Sequence, residues 1–184
     1  MRVFPLLLAV IMIIIASQAD GQSAASGSIK TKLINAQQQE VGEATLTDTP
    51  NGVLIRLSLR ANPPGISSGT HAVHIHETGK CEPPFKTAGG HFDPMNKKHG
   101  FLAEQGKHAG DLPNILVVEN AALTVEHLVP EVTLKDGKAS LLNNDGSALV
   151  VHEGADDYRT DPAGDSGERV ACAVIQDESQ AEKR

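Results

Sequence analysis

The chain is 184 residues long, with 40% apolar, 21% charged and only 3% aromatic content, and carries a formal charge of −7. That length suits one domain with a core of useful size, and the composition excludes a disordered chain, a collagen-like repeat and a disulfide-dense mini-protein. An acidic, aromatic-poor chain without a basic cluster also argues against nucleic acid, which needs cationic surface and stacking rings. Two features exceed this background: eight histidines, six of them between His71 and His108, and only two cysteines.

Met1-Arg2 gives a short positive start, and Val3 to Ala16 is a run of 14 apolar residues, followed by small residues that place a cleavage site after Ala19. This pattern predicts a secretory signal peptide; a membrane span would need about 20 apolar residues. Export would put Cys81 and Cys172 in an oxidising space, where two thiols favour one disulfide over a pair of thiolate metal ligands. Closing a loop of about 90 residues should stabilise the fold by roughly 4 kcal/mol. The small, polar stretch from Asp20 to Ser28 reads as a flexible lead-in.

From there to Ala61 the pattern is β. Val53, Ile55, Leu57 and Leu59 share one face, and Arg56, Ser58 and Arg60 the other. A turn is expected at Asn62-Pro63-Pro64-Gly65, and another strand from Thr70 to Glu77. The stretch from Cys81 to Pro113 has little periodicity, and so long an irregular segment in a compact domain is usually functional or held by something. Val132 to Leu141, with Asp136-Gly137 at its centre, carries a hairpin signal. Ala148 to His152 and Val170 to Gln176 are two further strands, separated by a second irregular loop from Glu153 to Glu168. The expected organisation is a signal peptide over 1–19, a lead-in over 20–28, one all-β domain over 29–176 and a charged tail over 177–184.

The histidines fall into a constellation. In a strand, residues i and i+2 point to the same side, so His74 and His76 would present two imidazoles to one spot. His91, His99, His108 and Asp111 lie in the irregular segment, and three nitrogens with one carboxylate oxygen make a closed tetrahedral set suited to structural zinc. Gly89-Gly90 before His91 permits close backbone approach. His152 ends an apolar strand and draws its interest from this company. A cupin-type oxygenase would want a glutamate where Lys80 and Cys81 stand, and an HxHxDH hydrolase fails at Glu77-Thr78-Gly79. A non-catalytic metal carrier is the remaining rival.

Five blocks then resemble one family. Gly69-Thr70-His71-Ala72-Val73-His74-Ile75-His76-Glu77, Gly90-His91-Phe92-Asp93-Pro94, Lys107-His108-Ala109-Gly110-Asp111-Leu112, Val151-His152-Glu153-Gly154-Ala155-Asp156-Asp157 and Gly167-Glu168-Arg169-Val170-Ala171-Cys172 are similar to blocks of the copper/zinc superoxide dismutases. The order and spacings fit, over about Gly27 to Gln176, and the likeness is to the exported bacterial branch.

The resemblance implies an eight-stranded antiparallel Greek-key barrel with two long functional loops. It implies copper on His74, His76, His91 and His152, zinc on His91, His99, His108 and Asp111, and His91 as the bridge. Asp156 and His71 would support these ligands, and Cys81–Cys172 would tie the loop beside the site to the last strand. The implied reaction converts two superoxide ions and two protons into dioxygen and hydrogen peroxide, with His91 carrying a proton and Arg169 docking the anion. The loop from Glu153 to Glu168 has no lysine and only Arg159, so any steering lysine would be Lys80, Lys86 or Lys107; Ala163 stands where many eukaryotic members have threonine. The implied setting is the periplasm or outside the cell, without membrane attachment after cleavage, as a monomer or homodimer. His127 matches no ligand position and reads as a surface residue, while Glu77 and Tyr158 read as packing or loop-anchoring groups.

Overall fold

The computed structural model describes residues 27–177. The predicted signal peptide, most of the lead-in and the tail beyond Asp177 lie outside the described residues. Strands β1 (Ser28–Asn35), β2 (Glu40–Thr49) and β3 (Gly52–Leu59) form an antiparallel meander. The period-2 pattern of β3 holds, with Val53, Ile55, Leu57 and Leu59 all buried. Strands β4 (Gly69–His71) and β5 (Val73–His76) cover the strand expected from Thr70 to Glu77, interrupted at Ala72. The break has a cause: Ala72 N–H donates to Gly154 O at 2.8 Å, while Ala72 O accepts His152 N–H at 2.9 Å. The chain therefore changes partners there, β4 pairing with β6 (Ile115–Val117) and β5 with β8 (Ser147–His152).

With β7 (Leu123–Val129) and β9 (Arg169–Ile175), the nine segments give a seven-stranded sheet, β5-β8-β9-β1-β2-β3-β7, and the pair β4-β6. Counting β4 and β5 as one strand makes eight. The first strand pairs with the last, and the chain crosses over between β3 and β4 and between β7 and β8, so the sheet curls round a core of Leu33, Leu46, Ile55, Leu57, Ile75, Leu112, Leu149 and Ile175. Strand β8 is buried throughout because both its faces are covered. Leu149 and Val151 face the core, while Ala148 and Val150 pack with Phe85, Ala88 and Cys172 beneath the Cys81 loop. The Cys81–Cys172 disulfide, spanning 91 residues, fastens that loop to β9.

Three readings need correction. The segment from Val132 to Leu141 is not a hairpin: it holds one isolated bridge, Thr133 with Ser140. Asp48 at the end of β2 takes its polar groups instead, accepting Thr133 Oγ1–H at 2.9 Å and Leu134 N–H at 3.0 Å. Strands β6 and β7 arise where no strand was expected. The third is His127, which shares the inward-leaning face of β7 with Leu123, Val125 and Val129 and pairs in register with Ile55. Its Nε2 is buried without a hydrogen-bond partner, and burial pushes the ring below its ordinary value.

His127→Val should therefore leave the fold as stable at pH 7, or more so, because an unsatisfied buried polar atom is removed. Its advantage should widen as the pH falls below about 6.5, where the unfolded histidine takes up a proton that the folded one resists. Urea midpoints of both proteins at pH 7 and pH 5 check this; a gap that narrows on acidification would contradict it.

Candidate metal centre

Strand β5 does what its alternation predicts. His74 and His76 are both fully buried, and His91 meets β5 through an isolated bridge to His76, as Asp111 does to His74. The loops around them are thus pinned to the strand that carries the first two imidazoles. His152, at the end of the neighbouring β8, completes a group in which one nitrogen from each of His74, His76, His91 and His152 lies within 4.8 Å of the others. His91, His99, His108 and Asp111 form a second such group, and His74, His99 and Asp156 a third.

Hydrogen-bond partners decide which nitrogen of each ring is free. His76 Nδ1 lies 3.0 Å from Gly89 O, and His152 Nδ1 lies 3.4 Å from Gly167 O and 3.1 Å from Ser166 Oγ. Carbonyls only accept, so both Nδ1 atoms carry protons and both Nε2 atoms offer lone pairs. Those two Nε2 atoms nevertheless face each other at 3.4 Å. Two acceptors so placed have no reason to converge unless something electron-poor sits between them. His74 Nε2 donates to Asp156 Oδ2 at 2.9 Å, leaving His74 Nδ1 as a buried atom without a partner, and His91 Nε2 is another. Four unprotonated nitrogens therefore point at one spot, the donor set Cu(II) prefers.

In the second group three ring nitrogens gather close to one carboxylate oxygen of Asp111. Its Oδ1 lies 2.8 Å from His91 Nδ1, 3.2 Å from His99 Nδ1 and 3.3 Å from His108 Nδ1. Four ligands about 2.0–2.1 Å from a zinc ion would stand roughly 3.3 Å apart, so the residues present fit zinc. Asp111 Oδ2 is engaged elsewhere, accepting Gly100 N–H at 2.8 Å and His108 N–H at 3.0 Å, which aims Oδ1 at the centre. His91 belongs to both groups, one nitrogen to each.

Asp156 links the two sides, Oδ2 to His74 Nε2 and Oδ1 to His99 Nε2, each at 2.9 Å. Such outer partners fix the tautomer and tilt of ligand histidines. Electrostatics follow the same layout. Burial drives His76 down to about 2, His152 to about 3 and His91 to about 4, with mutual repulsion between the rings adding to it. His99 goes the other way: burial pulls it down, but its bonds to Asp111 and Asp156 outweigh that and lift it to about 9. Burial alone would raise Asp111 and Asp156, yet their histidine partners hold both far below the ordinary carboxylate range.

His71 is buried outside both groups, its Nδ1 2.8 Å from His152 O and its Nε2 2.9 Å from Ser67 O, so it braces the backbone of His152. Arg169 is half-buried, and its guanidinium donates to Phe85 O and Gly89 O, both at 2.7 Å. Gly89 O thus receives both Arg169 and the His76 ring. Lys80 pairs with Asp145 and Lys107 with Glu131. Glu77 accepts Gly90 N–H at 2.9 Å just before His91, an anchoring role.

Ser166, Phe85 and Gly164 carry no motif and were legible only once folded. Gly164 has φ +66°, and a Cβ there would collide with Asp156 Oδ1 and lie 2.7 Å from His99 Nε2. Gly164→Ala should displace the Asp156 carboxylate and lower zinc affinity by at least about tenfold. Competition with a chromophoric zinc chelator checks this, and wild-type affinity would contradict it.

The copper/zinc superoxide dismutase family model matches residues 40–175. Superoxide dismutase (Cu-Zn) 2 of Aquifex aeolicus is 50% identical over 146 residues, covering 78% of this chain and 84% of that protein. The superoxide dismutase-like protein YojM of Bacillus subtilis is 42% identical over 147 residues, covering 78% and 74%. Among solved structures, a SOD-like protein from Bacillus subtilis superposes with a TM-score of 0.72 at 40% identity, covering 79% of this chain and 97% of that one. The Cu/Zn superoxide dismutase from Brucella abortus gives 0.64 at 28% identity, covering 80% and 99%. Matched from β2 through β9 and carrying two histidine groups that share one ring, the chain belongs to the copper/zinc superoxide dismutase family.

Proposed function

We propose that this protein dismutates superoxide to dioxygen and hydrogen peroxide at a paired metal centre. His74 Nδ1 and the Nε2 atoms of His76, His91 and His152 would hold copper; the Nδ1 atoms of His91, His99 and His108 with Asp111 Oδ1 would hold zinc. The observation that carries the reading is the convergence of four unprotonated ring nitrogens on one side of His91 and of three ring nitrogens with Asp111 Oδ1 on the other. Copper, when bound, supplies the one-electron couple that oxidises one superoxide and reduces the next, while zinc has no second oxidation state to offer.

The chain's own residues do the rest. His91 Nε2, buried without a partner at the junction of the two groups, would take a proton and pass it to the product. Asp156 keeps His74 and His99 in single tautomers. Arg169, locked on two carbonyls beside the His76 ring, supplies positive charge that would dock the anion. The apolar run and small residues over 1–19 support export to the periplasm, a compartment in which the Cys81–Cys172 bond would persist.

The test is superoxide decay in the presence of zinc-loaded protein, with and without stoichiometric copper. A copper-dependent rate well above that of copper held by a silencing chelator is expected. Tight copper binding with no acceleration would overturn the reading and leave a metal carrier.

A further inference from the structure

Resting on that reading, we propose that Tyr158 is a positioning residue that sets the Asp156 carboxylate and so couples the zinc side of the centre to the copper-side ligand His74. Tyr158 stands two residues beyond Asp156 and acts on it from two directions. Its backbone N–H donates to Asp156 Oδ1 at 2.6 Å, directly orienting the carboxylate. Its phenol oxygen accepts Asn114 N–H at 2.8 Å. Asn114 in turn clasps the Asp156 backbone, its Nδ2 donating to Asp156 O at 2.9 Å and its Oδ1 accepting Asp156 N–H at 2.9 Å. The result is a closed circuit: Tyr158 to Asn114, Asn114 to Asp156, Asp156 back to Tyr158.

Asn114 follows the zinc-side ligand Asp111 by three residues, on the segment leading into β6, so the circuit joins two loops otherwise far apart in sequence. Other contacts of Tyr158 strengthen that joint. Its ring meets Phe101 edge-on with centroids 5.3 Å apart, and its carbonyl accepts Leu102 N–H at 3.0 Å. The approach is close enough that a Cβ on Gly100 would strike Tyr158 O, and Gly100 is the residue whose N–H donates to Asp111 Oδ2. Tyr158 also holds φ +62°, a left-handed conformation that costs a bulky residue free energy and persists only where surrounding contacts over-determine it.

A side chain that served packing alone would need only its ring. The hydroxyl has a different task, because without it Asn114 N–H loses its acceptor and the clasp on Asp156 loosens. His74 and His99 lean on the two oxygens of that one carboxylate, so loosening should be felt at both metals together.

The experiment uses the mature protein and four variants: Tyr158→Phe, Asn114→Ala, their double substitution and Phe101→Leu. Zinc affinity is measured with zinc alone against a chromophoric chelator, and the copper EPR spectrum is recorded on protein holding both metals. Tyr158→Phe keeps the ring and the backbone N–H, so it should fold. Its zinc affinity should fall by about fivefold, the effect of one neutral hydrogen bond, and its copper spectrum should shift toward that of zinc-free protein. Asn114→Ala should do at least as much, and the double variant should be no worse than Asn114→Ala, since both cut the same circuit. Phe101→Leu, which spares the hydroxyl, should lower only the melting temperature. Wild-type zinc affinity and an unchanged copper spectrum in Tyr158→Phe, or additive losses in the double variant, would overturn the proposal. Failure of the unaltered protein to bind the two metals would instead overturn the functional reading on which it rests.

Discussion

His91→Ala is expected to destroy superoxide turnover while leaving a folded barrel. The ring's Nδ1 lies 2.8 Å from Asp111 Oδ1 and its Nε2 is a buried atom without a partner on the other side. One substitution therefore deletes a donor from both groups at once. Loss of an outer-shell partner alone typically costs 10–100-fold in metal affinity or activity, so losing a shared ligand should exceed about a hundredfold in turnover. The barrel should survive, because its core is formed by strands that His91 does not belong to. Metal content by mass spectrometry and superoxide decay, measured on the same preparation, check the prediction. Turnover within a fewfold of wild type would remove the shared ring from the account.

Arg169→Ile is expected to leave both metals in place and slow the reaction. The protein carries a charge of −7, so its overall field repels superoxide and an efficient site needs a local cation. Arg169 is held on Phe85 O and Gly89 O, and Gly89 O also receives the His76 ring. The guanidinium is therefore fixed beside the His76 ring rather than waving in solvent. Focused positive charge raises on-rates by about 10- to 1,000-fold, superoxide dismutases being a standard example, so kcat/KM should fall about tenfold to a hundredfold. The fall should be accompanied by a weaker dependence on ionic strength. Arg169→Lys should recover only part, since an ammonium keeps the charge but lacks the fork that spans two carbonyls. Pulse radiolysis across a salt series separates these cases; an Arg169→Ile rate and salt slope equal to wild type would show that docking lies elsewhere.

How much of this was legible in the sequence differs from residue to residue. The β3 alternation read correctly because both faces obey it. The pairing of His74 with His76 on one side was legible for the same geometric reason, and the long irregular stretch after Cys81 did prove to be ordered by what it packs against. Strands β6 and β7 were missed: β6 is three residues long, and the apolar stripe of β7 is interrupted by His127, which hides a core-facing position behind a polar name. At the Asp136-Gly137 hairpin signal only the Thr133–Ser140 bridge forms, and Asp48, distant in sequence, takes the Leu134 N–H. Ring chemistry was not legible either. Which nitrogen of each histidine points inward depends on Gly89 O, Gly167 O and Asp156, and only the folded chain brings those acceptors to the rings. The same is true of Gly164, whose lack of a side chain matters because Asp156 and His99 lie against it and its backbone is left-handed.

The most direct test of the central claim is anomalous diffraction from crystals of the mature protein loaded with one equivalent each of copper and zinc, recorded on either side of both absorption edges. The account predicts two peaks flanking His91: copper among His74, His76, His91 and His152, and zinc among His91, His99, His108 and Asp111. A single occupied position, or copper seated stably in the carboxylate-bearing set with the four-histidine set unfilled, would contradict it.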